Sequence, residues 1–221
     1  MNTVFMIWFG DEMPEIRKNS IKQFEKVSET NAVLITEENV DDYILDSEPL
    51  HSAYECLSWT HKSDYIRAYL MRFYGGGYSD VKMTTGSWKD SFEKLNGSDA
   101  LANVYKELSK RSVPAGGGLR KNWHRLIGCS AFICKPQTKF TEDWYNKMML
   151  TLDKNLKQLK KYPAKGCCDR FRGGPRNPIT NQRRYPFRWQ DLLARNFHWI
   201  NLKYTDEILT TLPKPNFDSY K

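Results

Sequence analysis

Three charged residues, Asp64, Arg67 and Asp80, fall within the stretch SDYIRAYLMRFYGGGYSDVK at spacings that let them share one site. Tyr65, Ala68, Tyr69 and Phe73 recur at three- and four-residue intervals, which predicts a helix with one apolar face. Asp64 and Arg67, three residues apart, lie on a neighbouring face, where they can pair or grip one polar ligand together. Gly75 is expected to end the helix, because glycine takes the left-handed C′ conformation without steric cost. A short strand over 78–81 follows and carries Asp80 near its end. One helix–turn–strand unit thus delivers Asp64, Arg67 and Asp80 to one region. Plainer readings stand beside this one: an i,i+3 surface pair worth little, and an aspartate bonded to its own turn.

The surrounding signals alternate between strand and helix and predict an α/β fold, a single domain with a central mixed β-sheet flanked by α-helices. Residues 3–9 form a dense β run, and 14–29 an amphipathic helix with Ile16, Ile21, Phe24 and Val27 on its apolar side. A short strand at 32–35 and a short helix at 38–45 precede 52–74, which reads as one long helix or two abutting ones. Strands are expected at 99–105 and 126–134, then a helix from Pro136 to about Leu159 with Phe140, Trp144, Met148 and Leu152 as its core stripe. Residues 112–122 and 165–188, rich in Gly, Pro and basic side chains, read as loops. Gln190 and Asp191 open the next helix, and His198 precedes a strand, WINLKY. The domain is expected to span 1–212, with 213–221 as a tail or the start of a linker to further domains.

Three segments, in chain order, resemble one family. The residues from Asp64 to Lys82 are similar to the D-x-x-R … G-G-x-Y-x-D-x-D signature of GT-A glycosyltransferases, nearest to the DXD-containing sugar transferases of the mannosyltransferase and capsular-polysaccharide type. VFMIWFGDEMP looks like their opening strand, and RWQDLLARNF is similar to the D-Q-D-x-L-N segment of retaining galactosyltransferase- and glycogenin-type enzymes. At whole-chain scale the sequence looks like the N-terminal domain of a chlorella-virus-encoded glycosyltransferase. The resemblance implies a GT-A-like fold and transfer of a hexose from a UDP-sugar, UDP-glucose foremost, to a hydroxyl acceptor on a glycan or glycoprotein. It places Trp8, Phe9, Gly10 and the strand end at Ile35 and Thr36 around the uracil, although strand alternation predicts that Trp8 or Phe9 is buried in the core. Asp64 and Arg67 would meet the ribose or the metal loop, and Asp80 would bind Mn2+ or Mg2+ against the donor pyrophosphate. Gln190 or Asp191 would approach the anomeric carbon or the acceptor, which favours retention over inversion. Arg170, Arg172, Arg176, Arg183, Arg184 and Arg188 would close over the phosphates as a lid, or form a solvated basic face.

Lys82 departs from the family pattern, standing where the second aspartate of D-x-D is usual. Either the metal remains, with Asp191 or His198 completing its shell, or the Lys82 ammonium itself neutralises the departing phosphate. A third reading has Lys82 pointing to solvent by strand alternation.

Composition bounds these readings. A chain of 221 residues, 40% hydrophobic and 27% charged, has the make-up of one globular domain, and no apolar run approaches the roughly 20 residues of a membrane span. Five cysteines, with Cys167 and Cys168 adjacent and no C-x-x-C, argue against a disulfide framework or zinc site and for a reducing compartment. Cys56, Cys129 and Cys134 read as core. With no basic leader before the first strand, a cytoplasmic location is expected, the host cytoplasm if the protein is viral. The net charge of +8 suits an anionic ligand such as a nucleoside diphosphate. One rival is a nucleic-acid-binding domain, with arginines of the 169–188 loop on phosphates and Phe171, Tyr185, Phe187 and Trp189 stacked on bases. Carboxylates beside that surface argue against it, and no nucleic acid is expected as a partner. Another is an inactive nucleotide-sugar-binding module, suggested by Lys82.

Overall fold

β1 (Thr3–Ile7) is buried from Val4 onward and forms the spine of the sheet. The computed structural model describes residues 2–114, 118–165 and 184–218. α1 (Glu15–Ser28) returns the chain to β2 (Asn31–Ile35), which pairs in parallel with β1. α2 (Trp59–Phe73) then leads into β3 (Gly76–Ser79), parallel to β1 on its other side. α3 (Lys89–Asn96), β4 (Ala102–Lys106), β5 (Ile127–Cys134), α4 (Lys139–Lys161), α5 (Ala194–Lys203) and β6 (Ile208–Leu209) follow. The strand order is β2-β1-β3-β5-β4-β6, with β5 antiparallel to both β3 and β4. This is the mixed α/β sheet expected.

α2, α4 and α5 pack together over one face. There Phe132 of β5 stacks on Tyr78 at 5.1 Å and meets Trp144 and Phe197 at 5.5 and 5.6 Å. Such aromatic pairs each contribute about 0.5–1.5 kcal/mol beyond the area they bury. Elsewhere in the core Phe24 of α1 meets Trp88, the residue ahead of α3, at 5.1 Å.

Several local expectations shift. α1 buries Ser20, Phe24 and Ser28, whereas Ile16 is 55% and Val27 39% exposed. Small serines let the helix approach β2, and the larger aliphatics turn outward. The expected 38–45 helix is a single 3-10 turn, Val40–Tyr43. The 52–74 segment divides into a 3-10 turn, Tyr54–Cys56, and α2, capped by the Ser58 hydroxyl. Gly75 does end α2, with φ 66°, but β3 begins at Gly76, so the glycines belong to the strand itself. WINLKY is not a strand: it lies largely in α5, where Phe197, His198 and Asn201 are buried at helical spacing.

Residues 166–183 lie outside those described, and with them Cys167, Cys168, Arg170, Phe171, Arg172, Arg176 and Arg183. The segment after residue 213 turns back onto the sheet: Pro215 bridges Thr84, and Asn216 N–H donates to the Met83 carbonyl at 2.8 Å. Among the described residues no helix is long and apolar enough to cross a membrane.

Candidate functional site

β1 and β3 run parallel and finish side by side, and ligands of open α/β sheets bind beyond such carboxyl ends. A cleft of about 810 Å³ opens there. Its aromatic lining includes Trp8, Trp59, Tyr78, Tyr105, Trp189 and Phe217, and its charged lining includes Arg17, Asp64, Arg67, Asp80, Lys82 and Glu107.

Asp80 is positioned by backbone. Its N–H donates to Ser130 O at 2.8 Å, prolonging the β3–β5 ladder by one residue, and Lys82 N–H donates back to Asp80 O at 2.6 Å. That tight turn breaks the strand alternation and brings the Lys82 ammonium to 2.6 Å from Asp80 Oδ2. The Lys82 side chain is 5% exposed, so it does not point to solvent. Asp80 Oδ1 accepts from the Tyr78 hydroxyl at 3.0 Å and from Arg67 Nη1 at 3.3 Å. Arg67 also reaches Asp64 Oδ1 at 3.3 Å and the Cys129 carbonyl at 3.2 Å, with its guanidinium 4.4 Å above the Tyr78 ring.

The two carboxyls of this cluster move in opposite directions. Burial would raise that of Asp80, but Lys82, then Arg67, together with the hydrogen bonds from Lys82 and Tyr78, hold it below the ordinary range. Burial pushes the Asp64 carboxyl from 3.8 up to about 7 against the pull of Arg67, and Asp80 adds to the rise. Arg67 stays cationic: burial opposes its charge, and Tyr78, Asp64 and Asp80 outweigh that.

The expected base pocket is brought together only in part. Trp8 lines the cleft half-buried, with Nε1 donating to Asp11 O at 2.8 Å, while Phe9 lines it as a core residue. Gly10 has φ 96°, and a Cβ there would fall 2.1 Å from the Trp59 ring, so its role is to let that indole close over the strand end. Thr36 does not reach the cleft: its N–H donates to Asn39 Oδ1 at 2.8 Å and fixes a turn.

Gln190 lines the cleft, donating to Ser112 O at 3.3 Å, but Asp191 and Arg188 do not line it. Asp191 accepts from Arg188 N–H at 2.8 Å and pairs with Arg188 and Arg195 at 3.2 and 3.3 Å, so it locks the turn before α5, which starts only at Ala194. Arg184 is exposed, with its carbonyl accepting from Gln158 Nε2 at 3.2 Å. Tyr185 and Phe187 are each 2% exposed and cannot stack on bases. Tyr185 hydroxyl and His61 Nδ1 are 2.8 Å apart beneath that segment.

His198 is buried in α5, its Nε2 3.2 Å from Ile127 O and 3.5 Å from Glu107 Oε2, so it is not poised to share an ion with Asp80. Among the described residues no group of three or more His, Cys, Asp or Glu side chains is arranged to hold a metal ion. Both oxygens of Asp80 are already met by Lys82, Arg67 and Tyr78. This donor set, one carboxylate between two cations, does not fit a divalent ion.

Sequence reasoning passed over Arg17, whose Nη1 donates to Val81 O at 3.2 Å, and Phe217, whose ring lies 5.0 Å from Lys82 Nζ. It also missed Glu107, a lone acid closing a β run, whose side chain is 6% exposed within the cleft.

A family model described as "Capsular polysaccharide synthesis protein" matches residues 1–107. No curated protein matches the chain. A solved structure, "PaToxG Glycosyltransferase", is similar with a TM-score of 0.44 at 14% identity, over 72% of this chain and 63% of that one. The chain therefore spans less than two thirds of that structure's length.

Proposed function

We propose that this chain is a glycosyltransferase that moves a hexose from a UDP-sugar, UDP-glucose foremost, to a hydroxyl acceptor on a glycan or glycoprotein. The observation that carries the reading is the Asp80 cluster: two buried cations organised around one carboxylate at the ligand edge of an α/β sheet, inside an aromatic cleft. The match of residues 1–107 to a polysaccharide-synthesis family supports it.

The uracil stacks against Trp8 at the end of β1, with Trp59 closing that side. The ribose hydroxyls meet Asp64 and Asp80, which accept hydrogen bonds. The diphosphate lies against Lys82 and Arg67, with Arg17 beside it. Lys82 is held by Asp80 before any ligand arrives, so its charge is in place when negative charge builds on the departing phosphate. No step passes through a metal ion.

Thermal melting with millimolar UDP tests the donor assignment. A ligand at about 100 times its Kd stabilises the folded state by about 2.7 kcal/mol, a rise of several degrees in Tm. An unchanged Tm refutes the assignment. Turnover of UDP-glucose should survive thorough chelation by EDTA, and loss of turnover restored by Mn2+ would refute the role given to Lys82.

A further inference from the structure

α4 buries Trp144, Met148, Leu152 and Leu159 on one side. On the opposite side Lys147, Leu150, Lys154, Lys157 and Lys161 recur at three- and four-residue steps, and all five are exposed. At about 3.6 residues per turn they fall within about 80° of arc and run for about 21 Å along the helix. The acids of α4 are engaged elsewhere. Glu142 pairs with Arg72 at 3.7 Å, Asp143 with Lys203, and Asp153 with His51 Nε2 at 3.0 Å. Lys161 Nζ sits 5.2 Å from the Tyr162 ring, and Lys139, outside the stripe, pairs with Glu207 at 2.7 Å. The stripe thus presents four ammonium groups with no acid among them.

A solvated helix face accounts for the lysines. It does not account for Leu150, 55% exposed in their midst, or for Trp199, 43% exposed on α5. α5 runs antiparallel to α4: Lys203 meets Asp143, and Thr151 Oγ1 donates to Asn196 Oδ1 at 3.3 Å. Trp199 follows Asn196 by three residues and precedes Lys203 by four, so it lies on the flank next to α4, level with Lys147 and turned from the core. Lysines around an exposed leucine and tryptophan are the composition of a helix lying in the plane of a bilayer surface, where tryptophan is favoured. A nucleic acid would give the lysines partners and leave Leu150 in water.

The stripe ends at the cleft end of the molecule. Ala164 N–H, three residues beyond Lys161, donates to Cys56 O at 3.0 Å, and Trp59, three residues beyond Cys56, lines the cleft. No residue of the stripe lines it, so a surface covering α4 leaves the mouth open.

We propose that α4 docks the chain on an anionic membrane surface. Lys147, Lys154, Lys157 and Lys161 meet the lipid headgroups, and Leu150 and Trp199 enter the boundary beneath them. The docking does not depend on the sugar donor.

Co-sedimentation of the whole chain with phosphatidylcholine vesicles holding about one-third phosphatidylserine, at about 0.15 M salt, reads the affinity. The chain should pellet with these vesicles and stay in solution with phosphatidylcholine alone. Lys154→Gln with Lys157→Gln should weaken binding about 25-fold, at about fivefold per lysine. Lys147→Gln with Lys161→Gln should do the same from the ends of the stripe, and either pair decides if the other lowers Tm by more than about 5 °C. Leu150→Ser with Trp199→Ser should weaken binding by about fivefold or more. No pelleting of wild type, equal pelleting with phosphatidylcholine alone, or a folded lysine pair within about threefold of wild type overturns the proposal. So does a serine pair that binds as wild type does. A duplex oligonucleotide that binds through the same lysines more tightly than the vesicles also overturns it, and assigns the stripe to nucleic acid.

Discussion

Asp64 offers a perturbation whose size follows from its surroundings. The side chain is 5% exposed, faces Arg67 and Asp80, and has its carboxyl raised from 3.8 to about 7, chiefly by burial. Between those values the folded protein holds a proton that the unfolded chain has released. The stability tied to this proton is therefore complete below about pH 4, declines as pH rises, and is gone above about pH 7. A gap of about three pH units at about 1.36 kcal/mol each sets an upper figure of about 4 kcal/mol. In a chain of this length that is on the order of 10 °C in Tm. Asp64→Asn removes the proton, so calorimetry from pH 4 to pH 8 should show the variant gaining on wild type by up to this amount. Asp80 works the other way: its lowered carboxyl contributes stability above the ordinary carboxylate range that is lost as pH falls through the folded value, and this is common to both proteins. A wild-type-minus-variant difference that stays constant across the range refutes the reasoning. The same titration bears on the ligand, because below pH 7 a neutral Asp64 leaves Arg67 and Lys82 facing Asp80 alone. UDP affinity should then be higher at pH 6 than at pH 8.

Two further substitutions test the cleft. Gly10→Ala puts a methyl group 2.1 Å from the Trp59 ring at φ 96°, so it should cost more than about 1 kcal/mol and displace the indole. Melting curves with and without UDP check it, and a Tm within about 1 °C of wild type with undiminished UDP stabilisation would refute it. Lys82→Met keeps the unbranched stem, one atom shorter, and removes its charge, so kcat for UDP-glucose should fall about 100- to 1,000-fold with EDTA present or absent. A rate within about tenfold of wild type would remove Lys82 from the leaving-group role.

What the sequence revealed depended on how far apart the cooperating residues lie. Asp64, Arg67 and Asp80 are joined by one helix and one turn, so local periodicity was enough to bring them together. The direction of Lys82 was not legible, because a backbone hydrogen bond from residue 82 to residue 80 overrides alternation. α5 was misjudged where Trp199, Ile200 and Leu202 mimic a strand, and the burial of Phe197 against Phe132, Phe140 and Trp144 decides for a helix. Asp191 belongs to a convincing local pattern, yet Arg188 and Arg195 occupy its oxygens, and neither pairing can be told from an active-site role by spacing. Glu107 and His198 are 91 positions apart and meet only because β4 and α5 both border β5, a relation that no short motif encodes.

The segment after residue 213 has a mechanical consequence. It is stitched to the loop just beyond Asp80 by Thr85 N–H to Lys214 O at 3.2 Å and Asn216 N–H to Met83 O, and its Phe217 ring faces the Lys82 ammonium. Tension applied beyond residue 218, by a fused partner or a tether, would be transmitted to that lysine before it reached the rest of the sheet. Anchoring the molecule by this end is therefore an intervention at the phosphate pocket, and immobilised preparations should be attached elsewhere.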